Sequence, residues 1–273
     1  MLVSIIAVIA LFSMVLGVSQ SSLAQNNSVN TPLPDIGMQS LQSSDLNWAG
    51  YMVVSNYLNP QPIFNGVAGS WIVPQIPENS FFGTTNEVTQ WVGIGGSASG
   101  DPLIQAGTAE ISYPYGGGNS YVAWYEMLPI NQPGNSTGVV ISNFVVNPGD
   151  VMDVYISEIG TGNSWIISIL DHTSGSFYQN TFTYSPDKSS AEWIVEKNDT
   201  RPLSDFGTID FGPAYTSGDY NQIEDQTNGS ILNIGQLPNY QITLKNSGAT
   251  VLAQPSALDS DQNSFTVTWE NSS

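Results

Sequence analysis

The chain has 273 residues, with 23 acidic and only 4 basic side chains, one histidine and no cysteine, for a formal charge of −19 at neutral pH. That charge excludes a nucleic-acid partner, and the missing thiols exclude disulfides, thiolate nucleophiles and cysteine-bound metals. Near pH 3 most carboxyls are protonated and the four cations, Lys188, Lys197, Arg201 and Lys245, leave little positive charge to repel itself, which points to an acidic extracellular setting.

Residues 2–18 form a nearly unbroken apolar run, followed by Ser22 and Ala24 in the small-x-small spacing of a signal-peptidase site. Residues 1–24 are therefore expected to be a signal peptide cleaved near Ala24, making the protein secreted and free of the membrane after cleavage. At about 17 residues the run also reaches the lower edge of spanning length, and an uncleaved N-terminal anchor is the alternative. Residues 25–46 are polar and interrupted by Pro32 and Pro34, and read as a flexible leader.

From Asn47 to residue 273 the texture is that of one all-β domain. Runs rich in Val, Ile, Tyr, Phe and Trp alternate with Gly, Asn, Ser and Pro clusters. Strands are expected over 48–55, 67–73, 87–94, 103–108, 120–127, 138–145, 151–158, 164–171, 176–184, 191–196, 208–215, 231–234, 241–244 and 264–270. No window carries a helical apolar period longer than about two turns. So many strands in one domain suggest two antiparallel sheets packed face to face, a β-sandwich of jelly-roll or concanavalin-like type. Asn26, Asn135, Asn198, Asn228 and Asn271 stand in N-x-[ST] sequons.

The inventory removes most hydrolytic machinery. Zinc peptidases need paired histidines and only His172 exists; no Asp-Thr/Ser-Gly tripeptide of the pepsin type occurs. The G-x-S-x-G match at residues 134–138 lacks the strand–elbow–helix context, and His172, the only base for Ser136, sits in a turn-like Asp-His-Thr-Ser-Gly. Carboxylates, amides and aromatics remain. A carboxylate can act as general base or acid, and an amide can orient a water and donate to an oxyanion. Neither needs a metal or cofactor, and none is expected.

Seven segments, in order, carry a resemblance: Asn47-Trp-Ala-Gly50, Gly69-Ser-Trp-Ile-Val-Pro74, Trp91-Val-Gly-Ile-Gly-Gly96, Leu103-Ile-Gln-Ala-Gly107, Ala123-Trp-Tyr-Glu126, Ala191-Glu-Trp-Ile-Val-Glu196 and Phe206-Gly-Thr-Ile-Asp-Phe211. Over residues 47–270 the chain resembles the eqolisins, pepstatin-insensitive glutamic peptidases of fungi that act in acid. The resemblance implies a β-sandwich, protein or peptide substrates, and a catalytic pair formed by Gln105 and Glu192, converging on one water from neighbouring strands. It places Trp91 at the cleft edge. Two aspartates of the fungal pattern are replaced, one by Gly95 and one by Ala109, with Glu110 beside the latter; if those aspartates orient the glutamine or tune the pair, this chain must do so otherwise. With only about 22 polar residues ahead of the domain, activation by removal of a long basic propeptide is not expected.

Strand alternation adds that Glu192, Ile194 and Glu196 share one face against Trp193 and Val195, and that Trp124 and Glu126 share a face opposite Tyr125. Trp124 and Tyr125 are expected to line the cleft, with Glu126 supporting it or making a structural hydrogen bond. Glu196 is expected in solvent or paired with Lys197 or Lys188. The competing readings are a jelly-roll glycoside hydrolase using Glu126 and Glu192, and a non-catalytic carbohydrate-binding sandwich. The protein is expected to be a monomer.

Overall fold

Two-residue alternation gives each strand one face for a core and one for solvent or a site. The computed structural model describes residues 40–79, 83–98, 100–129, 138–160, 162–212, 221–226 and 229–273. In chain order its strands are β1 (Leu41–Asp45), β2 (Trp48–Val54), β3 (Phe64–Ile72), β4 (Asn86–Gly95), β5 (Leu103–Ser112), β6 (Asn119–Leu128), β7 (Val139–Val140), β8 (Val151–Glu158) and β9 (Ser164–Asp171). They continue with β10 (Phe177–Thr183), β11 (Ser190–Glu196), β12 (Thr208–Phe211), β13 (Gln222–Asp225), β14 (Ser230–Asn233), β15 (Asn239–Lys245), β16 (Val251–Pro255) and β17 (Phe265–Trp269).

One layer runs β1-β15-β2-β11-β4-β5-β6-β7, and the other β14-β13-β3-β8-β9-β10. A β12–β17–β16 branch joins β3 to β15 and links the layers at one side. Among the named strands, all pairings are antiparallel except β1 with β15. This is the expected all-β sandwich.

The core lies between the layers. It takes Val88, Val92 and Ile94 from β4, Ile104 and Ala106 from β5, and Ala191, Trp193 and Val195 from β11. The opposite layer supplies Val67 and Trp71 from β3, Met152, Val154 and Ile156 from β8, and Trp165, Ile167 and Ile169 from β9. A Cβ on Gly69 would stand 2.4 Å from Val92 Cγ1 and 2.9 Å from Trp193 Cδ1, so only glycine lets β3 approach this closely. The Trp193 indole donates to the Ala68 carbonyl at 2.8 Å, crossing from one layer to the other.

A buried polar chain also crosses the core. Trp71 Nε1 donates to Thr108 Oγ1 (3.0 Å), Thr108 Oγ1 to Gln90 Oε1 (2.9 Å), and Gln90 Nε2 to Glu110 Oε2 (2.7 Å). Glu110 is thus a core residue, and burial pushes its carboxyl up to about 8.

Several boundaries differ from expectation. The end of the presumed leader, Leu41–Asp45, is a strand; all five residues are exposed, so no apolar alternation announces it, and backbone pairing with β15 orders it. Of the strand expected over 138–145 only Val139–Val140 pairs with a neighbour. β12 ends at Phe211, and residues 213–220 lie outside the described residues. β13 and β16 were not expected: β13 is the short Gln-Ile-Glu-Asp, and β16 ends on Pro255. Residues 1–24, where a signal peptide was expected, residues 25–39 of the expected leader, and Ser136 also fall outside the described residues.

Candidate active site

The outward face of the first layer carries a second apolar set: Trp91, Leu103, Ala109, Trp124, Ile194 and Ile242, flanked by Trp48, Met52, Val122, Leu128 and Tyr240. Within it, register decides which polar side chains meet. Glu192 on β11 lies opposite Gly93 on β4, Gly93 opposite Gln105 on β5, and Gln105 opposite Glu126 on β6. Met52 and Tyr240 continue the row beyond Glu192. Cross-strand partners share a face, so Glu192, Gln105 and Glu126 all project to the same side. The expectation of neighbouring strands is corrected here: β4 lies between the two catalytic candidates. Two strand spacings separate their backbones by roughly 9.5 Å. The intervening residue is Gly93, which adds no side chain of its own between them; the Leu103 and Trp91 side chains border the gap.

Glu192 is fully buried and Gln105 is 3% exposed. Neither carboxylate oxygen of Glu192 has a protein hydrogen-bond partner, and neither has Gln105 Oε1. Burial pushes the Glu192 carboxyl well above the usual range; the Ser190 hydroxyl, two residues back on the same face, eases this, and the Asp187 carboxylate adds to it. The Ser190 hydroxyl makes no hydrogen bond, so its effect on Glu192 is that of a nearby dipole.

Glu126 holds Gln105. Gln105 Nε2 donates to Glu126 Oε2 at 2.9 Å, and the Gly138 amide donates to Glu126 Oε1 at 2.9 Å. Burial raises the Glu126 carboxyl, and these two donors partly offset the rise. The residues that replace the fungal aspartates take no part in this. A Cβ on Gly95 would fall 2.1 Å from the Pro102 carbonyl and 2.6 Å from that of Asp187, and Ala109 packs into the apolar face.

One row along, Ile194, Trp91, Gly107 and Trp124 lie abreast. Trp91 is wholly buried and donates to Glu196 Oε2 at 2.7 Å, with Trp48 edge-on against it at 5.0 Å between ring centroids. The expected Glu196–lysine pairing is corrected: Lys188 pairs with Glu158 instead. Burial pushes Glu196 up to about 7, against the opposing pull of the Trp91 and Trp48 indoles. Trp124 joins the face as expected. Tyr125 does not. It projects to the core side, its ring 4.8 Å from Phe182 and 6.1 Å from Tyr178 of the opposite layer. Alternation already set it against Glu126, and the packing follows that alternation.

Sequence reasoning did not single out Gly93, Met52, Ser190 or Asp187. A glycine inside a strand signals close approach, which would have found the first; the others depend on register and on a loop.

The sequence profile of the Peptidase A4 family matches residues 46–254. The chain belongs to this family. It is therefore a peptidase, with proteins or peptides as substrates, and the glycoside-hydrolase and carbohydrate-binding readings fall. No curated protein sequence matches it. Its fold is similar to that of scytalido-glutamic peptidase bound to a transition-state analogue inhibitor, with a TM-score of 0.61 and 17% identity over 84% of this chain and all of that one. It is also similar to SCP-B, a member of the eqolisin family, in complex with the tripeptide Ala-Ile-His (TM-score 0.59, 18% identity, 84% of this chain and 100% of that one). Aspergilloglutamic peptidase from Aspergillus niger gives a TM-score of 0.52 at 24% identity, over 68% of this chain and 99% of that one.

Proposed function

We propose that the protein is a secreted acid endopeptidase in which Glu192 and Gln105 activate one water for direct attack on a peptide carbonyl. The observation that carries this reading is the row Glu192–Gly93–Gln105: two buried polar side chains facing one space, with three acceptor atoms that no protein group satisfies.

In this mechanism the Glu192 carboxylate takes a proton from the water as its oxygen attacks the scissile carbon. The Gln105 NH₂ donates to the oxyanion, the C–N bond breaks, and Glu192 returns the proton to the leaving amine. Products are a carboxylic acid and an amine, with no covalent intermediate. Burial makes Glu192 a reluctant acid, so in acid solution its ionised fraction is small, and each carboxylate that forms is a strong base. With Glu192 wholly buried, substrate access requires local opening of this face. Acid function is further supported by buried Glu110 and Glu192 and half-buried Glu196, none of them paired with a cation among the described residues. Secretion is supported by the apolar run over residues 2–18 and the small-residue site at Ala24.

The test is digestion of a denatured protein across pH 2–7, with and without pepstatin, by wild type, Glu192→Gln and Gln105→Ala. Loss of one oxyanion donor should lower kcat about 10²–10³-fold, and loss of the base at least as much. Pepstatin-sensitive cleavage, or variants as active as wild type, would overturn the proposal.

A further inference from the structure

The Gln105 amide has two ends of nearly equal shape and opposite hydrogen-bonding character, and its surroundings decide which faces the substrate. As observed, Nε2 is turned to Glu126 while Oε1 is buried without a donor. This arrangement suits an ionised Glu126, which can only accept. A protonated Glu126 could keep accepting the Gly138 amide on one oxygen and donate from the other to Gln105 Oε1, satisfying that orphaned acceptor.

Resting on the Glu192/Gln105 reading, we propose that Glu126 is a positioning residue whose proton turns the Gln105 amide: as a carboxylate it holds Nε2, and as a carboxylic acid it holds Oε1 and presents the whole NH₂ to the scissile carbonyl. The groups around it favour the proton. Across the row stands the Glu192 carboxyl, and two rows along the Glu196 carboxyl feels Glu126 electrostatically. It accepts from the Gln105 amide on β5 and from the Gly138 N–H just ahead of β7. No lysine, arginine or histidine pairs with it among the described residues. Burial raises its carboxyl in the same sense. Activity then needs Glu192 ionised and Glu126 protonated, which gives a bell-shaped pH profile whose alkaline fall disappears once residue 126 can no longer ionise.

Two variants separate this from a structural role. Glu126→Gln is permanently neutral and can both accept from Gly138 and donate to Gln105 Oε1; Glu126→Ala can do neither. On a peptide substrate, Glu126→Ala should lose on the order of 10–100-fold in kcat with little change in KM. Glu126→Gln should remain at least about tenfold more active than the alanine variant in acid and should lose the alkaline fall. In wild type, the ¹⁵N-labelled side-chain amide of Gln105 should shift with pH as Glu126 titrates, a readout that survives if a variant fails to fold. The inference is overturned if Glu126→Gln is as impaired as Glu126→Ala, if both match wild type, or if the Gln105 amide does not respond to pH. Wild type without peptidase activity, or Glu192→Gln as active as wild type, would instead overturn the dyad itself.

Discussion

Glu110 offers a quantitative link between the core and pH. It is fully buried, one oxygen accepts from Gln90 and the other has no partner, and the Glu87 carboxylate is the charge it feels. Its carboxyl rises from 4.5 to about 8. Below pH 4.5 both folded and unfolded forms are protonated and its contribution is whole. Between 4.5 and about 8 the unfolded chain ionises and the folded one does not, so stability falls as pH rises by about 1.4 kcal/mol per unit, roughly 4–5 kcal/mol in all. Glu110→Gln keeps the Gln90 contact and abolishes the titration. Urea unfolding at pH 4.5, 6 and 8 should show wild type losing several kcal/mol more than the variant across that range. Parallel stability curves would refute the reasoning.

Other consequences follow from packing around the site. A methyl on Gly93 would lie 2.9 Å from Leu103 Cδ1 and 3.1 Å from both Trp91 Cζ3 and the Ile104 carbonyl, in the gap between Glu192 and Gln105. Gly93→Ala should therefore reduce kcat about 100-fold while lowering stability by only about 1–3 kcal/mol; steady-state kinetics and thermal melts on the same sample check both. Tyr125→Ala should destabilise by about 3 kcal/mol through the lost Phe182 and Tyr178 contacts, with kcat unchanged where the variant is folded. Trp193→Phe leaves the Ala68 carbonyl without its donor and should destabilise by about 1–3 kcal/mol, read by urea titration.

Much of this was legible in the chain. β8 and β9 carry strong apolar alternation and appear with the expected limits, Val151–Glu158 and Ser164–Asp171. The shared face of Glu192, Ile194 and Glu196 was readable because a strand has a period of two. Register was not readable. Nothing local to β4, β5, β6 or β11 states that Gly93 separates Glu192 from Gln105, or that Gln105 meets Glu126. Glu196 shows the same limit, since its partner Trp91 lies 105 residues away while Lys197 is adjacent and does not pair with it. β1 escaped because its exposed side chains carry no apolar pattern, and what orders it is backbone pairing with β15 together with the Gln42–Gln241 side-chain hydrogen bond.

The shared water is tested most directly by a double-mutant cycle on kcat. If Glu192 and Gln105 act on one molecule as a unit, the double variant Glu192→Gln/Gln105→Ala should be no more than a few-fold slower than the worse single variant. Losses that multiply would show the two side chains working independently, and would contradict a common site across Gly93.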